Sequence, residues 1–120
     1  MSEFTFLFRG RDYFASPEQR QKHTEKWVAW FKALGDKGHI KDMGRPLEAA
    51  GKVVRGDKGN VQDGPYAEAK DLIGGYTLIE AANLDEAVEL SKGCPIFDVG
   101  GAVEVRPVQA LNVQYQELKA

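Results

Sequence analysis

Three phenylalanines in alternation near the start of the chain, Phe4, Phe6 and Phe8, restrict the fold more than any other feature. Successive side chains of a strand point to opposite faces, so a period-2 aromatic pattern places all three on one buried side. Leu7 lies between them, so the other side is partly apolar too. A few residues on, Ser16-Pro17-Glu18-Gln19 reads as a helix start. Ser16 supplies the cap, Pro17 fits the first turn and Gln19 stands three residues after the cap. The helix is expected to run to about Lys37 and stop at Gly38, with His23, Trp27, Trp30, Phe31 and Leu34 on one stripe. A strand with a fully apolar face followed at once by an amphipathic helix calls for a sheet with helices packed on it.

The remaining elements repeat that order. His39-Ile40-Lys41-Asp42 reads as a short strand and Gly44-Arg45-Pro46-Leu47 as a loop. Lys52 to Arg55 and Asn60 to Gln62 form a hairpin around Gly56-Asp57-Lys58-Gly59. Tyr76 to Ala81 is the next strand. Asn83 caps a second helix, with Leu84, Ala87, Val88 and Ser91 expected inward, and Gly93 and Pro95 end it. Cys94 to Gly101 reads as a loop, and Ala102 to Val108 as the last strand, with Val103 and Val105 inward. The fold class implied is α+β, a ferredoxin-like βαββαβ plan with an inserted hairpin. Residues 1–107 make one domain and 108–120 a C-terminal extension.

Two helices can cover only one face of such a sheet. Phe4, Phe6, Phe8, Leu7, Tyr76, Leu78 and Ile79 are too many apolar side chains for that face alone. A bare apolar sheet surface of a few hundred Å² is unusual on a monomer. The expectation is a homodimer whose sheets meet face to face and enclose a cleft. Charge leans the same way: residues 1–60 carry 12 basic and 8 acidic side chains, and residues 61–120 carry 4 and 10. A basic and an acidic half can attract across a self-association contact. The plain alternative is charge spread over solvated surface.

Several function classes are set aside. A net charge of −2 gives no basic excess for nucleic acid. Nothing reaches the ~18 apolar residues of a membrane span, and MSEFTFLFRG does not read as a signal peptide. Cys94 is the single cysteine, so no internal disulfide is possible and a reducing, cytoplasmic home is expected. Two separated histidines and one cysteine have no metal-ligand spacing. Phosphate-loop, nucleophile-elbow and dinucleotide patterns are missing, so no cofactor is expected.

The stretch VQDGPYAEAKDLIGGY, residues 61–76, draws the functional reading. Asp63-Gly64-Pro65 is strong turn punctuation, and Gly74-Gly75 at a strand head lets another backbone or a ligand come close. Asp63 is the leading candidate acid or base, with His23 or His39 as its proton partner. The structural alternatives are that Asp63 binds backbone in its own turn, that His23 edges the helix stripe, and that His39 closes the helix C-terminus. Trp27 and Tyr66 could stack on a flat aromatic ligand, Arg45 could meet its negative charge, and Lys70 could line the same cleft. Against this, such residues are more often core or free surface. Cys94 follows a helix end, where the dipole disfavours a thiolate.

Asp63-Gly64-Pro65-Tyr66-Ala67-Glu68-Ala69-Lys70, Gly74-Gly75-Tyr76, Leu84-Asp85-Glu86-Ala87, Cys94-Pro95 and Val103-Glu104-Val105-Arg106-Pro107 together resemble the YCII-related family in its DGPF branch, with Tyr66 in place of the usual Phe. The resemblance implies a ferredoxin-like fold that dimerises in the manner of a dimeric α/β barrel. It also implies a His–Asp pair in a cleft, and elimination chemistry of the kind one relative performs on a chlorinated hydroxyquinol. Counted back from Gly38, the first-helix histidine of the family falls on Trp27, with His23 one turn earlier. The expected function is small-molecule binding in a dimer-associated cleft, with cofactor-independent lyase-type or proton-transfer chemistry. The alternatives are a non-catalytic regulatory module and a cofactor-free monooxygenase-like protein.

Overall fold

The computed structural model describes residues 1–10, 14, 16–56, 59–64 and 71–119. The elements are β1 (Ser2–Arg9), α1 (Pro17–Asp36), β2 (Ile40–Pro46), β3 (Gly51–Val54), β4 (Val61–Gly64), β5 (Ile73–Ala81), α2 (Leu84–Ser91), β6 (Ala102–Pro107) and α3 (Val113–Gln116). A 3-10 turn at Pro95–Val99 precedes β6. Four strands form one sheet in the order β2-β5-β1-β6, and β3 and β4 pair only with each other. Every neighbouring pair is antiparallel. The unit β1-α1-β2 is therefore split by β5, and the unit β5-α2-β6 is split by β1. The α+β class with an antiparallel sheet and an inserted hairpin agrees with the sequence.

The aromatic alternation does what its period requires. Phe4, Phe6 and Phe8 are buried, and Thr5, Leu7 and Arg9 between them are half-buried on the other face. The Phe6 ring stacks on Trp30 of α1, with centroids 5.9 Å apart, and Phe8 meets the edge or face of Trp27, Trp30 and Phe31. Such pairs add about 0.5–1.5 kcal/mol each to the area they bury. From β5, Thr77, Ile79 and Ala81 face the same core, and Val103 and Val105 of β6 pack against it. Helix α1 begins as its sequence demands, with the Ser16 hydroxyl accepting the Gln19 N–H. Asn83 likewise accepts from Glu86 N at the start of α2.

Three local readings need correction. β2 does not stop at Asp42 but continues to Pro46. It is an edge strand, where proline costs no ladder bond that the sheet needs. Helix α2 buries Ala87 and Ser91, while Leu84 and Val88 are exposed. The narrow edge is favoured because Gly93, just past α2, sits 3.0 Å by its virtual Cβ from the Trp30 ring, so that ring fits against the helix end. The Trp30 indole then donates to the Leu90 carbonyl at 3.3 Å. Last, Asp63 and Gly64 are paired strand residues of β4 opposite Lys52 and Gly51, and Pro65, the last residue of the expected turn, lies outside the described residues.

The open face of the sheet is less apolar than expected. Phe4, Phe6, Phe8 and Ile79 all reach the helical side, which leaves Leu7, Tyr76 and Leu78 outside. Charged pairs flank them: Arg9 to Glu104 at 2.7 Å, and Lys41 to both Glu3 and Glu80 at 3.6 Å. Beyond β6, Val108 N–H donates to Glu3 O, and the apolar side chains of Val113, Tyr115 and Leu118 are exposed.

Candidate ligand-binding site

The local cause of the site is an irregularity in β2. The Asp42 side chain accepts the Gly44 N–H at 2.8 Å, closing a small Asx-type turn inside the strand. Gly44 then adopts φ +66°, and a Cβ there would lie 1.8 Å from the Tyr76 carbonyl oxygen. Only glycine fits. The pairing of β2 with β5 shifts on either side of Asp42, as bulges do when they re-aim side chains. Thr77 secures the bulge by donating its hydroxyl to Met43 O at 2.9 Å. Further along, Gly75 lets the Arg45–Pro46 backbone approach, since its virtual Cβ would sit 3.2 Å from Arg45 O. The expected close approach at Gly74-Gly75 is thus met by a neighbouring strand.

Where β2 bends away, α1 no longer closes on the sheet, and a cavity of about 550 Å³ opens between them. Trp27, Phe31 and Thr24 of α1 line one wall, and Phe8, Gly75 and Thr77 the sheet floor. Met43, Arg45 and Leu47 of β2 and the segment after it complete the rim, with Leu72 and Ile96 nearby. The hollow lies on the helical side of the sheet and within a single chain, not between two sheets. Among the described residues its lining includes no Asp, Glu, His or Lys, and Arg45 is the one charged residue.

Trp27 is held in place from behind. Its indole N–H donates to His23 Nε2 at 2.9 Å. An indole nitrogen can only donate, so His23 Nε2 carries the lone pair and the ring proton sits on Nδ1. His23 is 7% exposed and packs on Phe14 at 4.9 Å between centroids. It supports the wall of the cavity without lining it.

The other sequence candidates scatter. His39 lies at the opposite end of β2, where its Nδ1–H donates to Glu80 O at 2.8 Å. The helix end is closed by His39's backbone N–H, which donates to Leu34 O at 2.9 Å, not by its ring. Asp63 is 84% exposed on the hairpin and pairs with the Lys52 ammonium. It does not line the cavity. Tyr66 and Lys70 lie outside the described residues. Trp27 and Arg45 are the two candidates that converge. Sequence reading missed Met43, Leu47, Leu72 and Thr77. The available signal was Asp42-x-Gly44, a bulge signature that reads equally well as the start of a loop.

Among the described residues no three His, Cys, Asp or Glu side chains are placed to hold a metal. Among those residues no helix is long and apolar enough to cross a membrane either.

The sequence pattern of the YCII-related domain matches residues 3–112. The chain belongs to the YCII-related domain family. Within curated proteins, this YCII-related chain is similar to an uncharacterized protein of Rhizobium meliloti (strain 1021), 41% identical over 49 residues. That match spans 40% of each chain. Among solved structures, its fold is similar to 5-chloro-2-hydroxyhydroquinone dehydrochlorinase (TftG) from Burkholderia phenoliruptrix AC1100, in complex with 2,5-dihydroxybenzoquinone. The two share 20% identity at a TM-score of 0.54, over 94% of this chain and 97% of that one. At that identity the likeness is one of fold.

Proposed function

We propose that this YCII-related protein binds a small, flat organic molecule in the cavity between α1 and the bulged end of β2. The carrying observation is the convergence of Trp27, Phe31 and Phe8 with Arg45 on one hollow of about 550 Å³. That volume lies in the range of small-molecule sites, which are mostly apolar with a few placed polar groups. Aromatic walls suit a ring, which can stack or meet them edge-on. The fold shared with a dehydrochlorinase crystallised with a quinone supports the same reading.

The enzymatic form of this reading is cofactor-independent proton transfer or elimination on the bound ring. Of the candidate acids and bases, His23 is the one tied to the cavity wall, since it accepts the N–H of the indole that forms the wall. The non-catalytic form is favoured by another observation: none of Asp63, His23 and His39 lines the cavity. Once a turned-over ring is in hand, Asp63→Asn tests the part of Asp63 in the enzymatic form. Lost turnover on a bound ring with intact folding restores Asp63 to the mechanism; unchanged binding and turnover remove it.

In this reading a second copy covers the open sheet face. Half-buried Leu7 and Leu78 beside the exposed Tyr76 support it. Cytoplasmic residence fits such a small-molecule role.

The test is a thermal-shift screen with small phenols, quinols and aromatic acids. A ligand at ~100 times its Kd adds roughly 2.7 kcal/mol to stability. A compound that raises Tm in the native chain and leaves a folded Trp27→Ala variant unmoved supports the cavity. Shifts that persist in Trp27→Ala, or no shift with any ring, remove it.

A further inference from the structure

One wall of the cavity is held by a titratable side chain that does not line it. The Trp27 indole meets the Phe8 ring edge-on at 5.0 Å and lies 5.7 Å from the Phe31 ring, and all three residues belong to the lining. The indole N–H is taken by His23 Nε2 at 2.9 Å. That bond exists only while Nε2 keeps its lone pair. A neutral imidazole has one acceptor nitrogen, and a protonated one has none. Turning the cationic ring over restores nothing, because both nitrogens then carry hydrogen. The His23 ring is buried, with Phe14 at 4.9 Å and Trp27 at 6.2 Å between centroids. An added proton therefore sets two N–H groups against each other inside a packed contact, and one of the two rings has to move.

We propose that His23 is a positioning residue that ties binding in the cavity to its own protonation. The neutral imidazole, bonded to the indole, holds the wall in its binding shape, and the imidazolium releases it. This rests on the small-molecule reading above and adds to it a regulation by the proton. The sign follows from the bond. A ring compound binds the neutral form better, so its affinity is full above the His23 titration and falls as pH drops through it. The coupling is reciprocal: a bound ring lowers the midpoint at which His23 takes its proton. Other charges stand near the same turn of α1. Arg20 and Lys26 lie one turn to either side of His23. From the 3-10 turn packed on α1 comes Asp98, which pairs with Lys26 at 3.1 Å. Phe14, from the segment before α1, is uncharged.

The test is a pH series on the full chain between about pH 5 and 8, where imidazoles titrate. Two neutral rings, 4-nitroanisole and benzamide, serve as probes because neither ionises in that range. Imidazole ¹⁵N signals report the His23 proton and tautomer, and the indole ¹⁵N–H signal of Trp27 reports the bond. At the high end we expect hydrogen on Nδ1 and a bare Nε2, with a Trp27 signal that shifts at the His23 midpoint. Probe affinity should fall about tenfold across that same midpoint, the scale of one hydrogen bond. Saturating probe should lower the midpoint by about one pH unit, the same tenfold read as proton linkage. His23→Gln supplies an oxygen that accepts the indole N–H and does not titrate. It should flatten the affinity profile, although His39 still titrates. Asp98→Asn removes the nearby carboxylate and should leave the profile in place. If His23 keeps one protonation state throughout, or affinity stays flat across its titration, the proton inference falls and the small-molecule reading stands. A Trp27 signal that ignores the His23 titration also overturns it. A slope that persists in His23→Gln, or vanishes in Asp98→Asn, overturns the assignment to His23. If neither probe binds at any pH, both readings fall.

Discussion

At the scale of single residues, the Trp27–His23 bond is the most informative contact in the molecule. Removing the acceptor strands a partly buried indole N–H, which costs about 1–3 kcal/mol. His23→Ala should therefore lower the urea midpoint and alter tryptophan emission. His23→Gln, which restores an acceptor oxygen, should recover most of the loss. Asp63 invites the opposite expectation. Its partner Lys52 is also largely open to solvent, and exposed ion pairs contribute about 0–1 kcal/mol. Asp63→Asn should leave the urea midpoint almost unmoved. These two residues show why a sequence grades site candidates poorly. Asp63 stands in the most distinctive motif, yet it lies on β4, which pairs only with β3. His23 sits in an ordinary amphipathic stripe, and its value comes from a bond to the next turn that spacing permits but cannot require.

At the scale of elements, the bulge in β2 decides where the cavity opens. Gly44→Ala must move either the Tyr76 carbonyl or the strand, and its positive φ adds strain of about 1–3 kcal/mol. We expect this variant to lose stability and, more tellingly, to lose ligand binding further than its stability loss explains. The measurement is a binding titration with a ring compound that raises the native Tm, run at a temperature where circular dichroism shows the variant folded. The period-2 run at Phe4–Phe8 and the capped helix after Ser16 were legible because each is a local pattern whose period matches its structure. The β2 extension was not. Gly44 and Pro46 are breakers inside a strand, and only the edge position of that strand makes them tolerable. Edge or centre is a property of topology, which no short window contains. The inner stripe of α2 failed for a related reason. The docking of Trp30 against Gly93 chose the small edge over the greasier one.

At the scale of the whole molecule, stability rests on one aromatic layer. Phe6 is fully buried and stacks on Trp30. Phe6→Ala should cost about 3–5 kcal/mol, read from chemical denaturation. The second molecular expectation concerns association. Leu78→Glu puts a charge in the middle of the open face without touching the helical side. If a second copy covers that face, analytical ultracentrifugation should show the native chain as a dimer and the variant as a folded monomer. A native chain that sediments as a monomer at micromolar concentration would remove the partner, while the cavity, built within one chain, would be unaffected.

The interleaving of the two βαβ units also bears on how the protein is made. β1 is synthesised before the other strands of its sheet and is an interior strand of it. Its partners Ala81 and Pro107, opposite Ser2 and Phe4, are synthesised roughly eighty to a hundred residues later. Until then three aromatic side chains have no sheet to join. Long-range pairing of this kind slows folding and lengthens the time that sticky surface is exposed. Helix α1, emerging next with its own tryptophans, is the natural companion of β1 during that interval. A nascent chain halted before Ala102 should therefore be protease-sensitive and chaperone-dependent, even with most of its residues already synthesised.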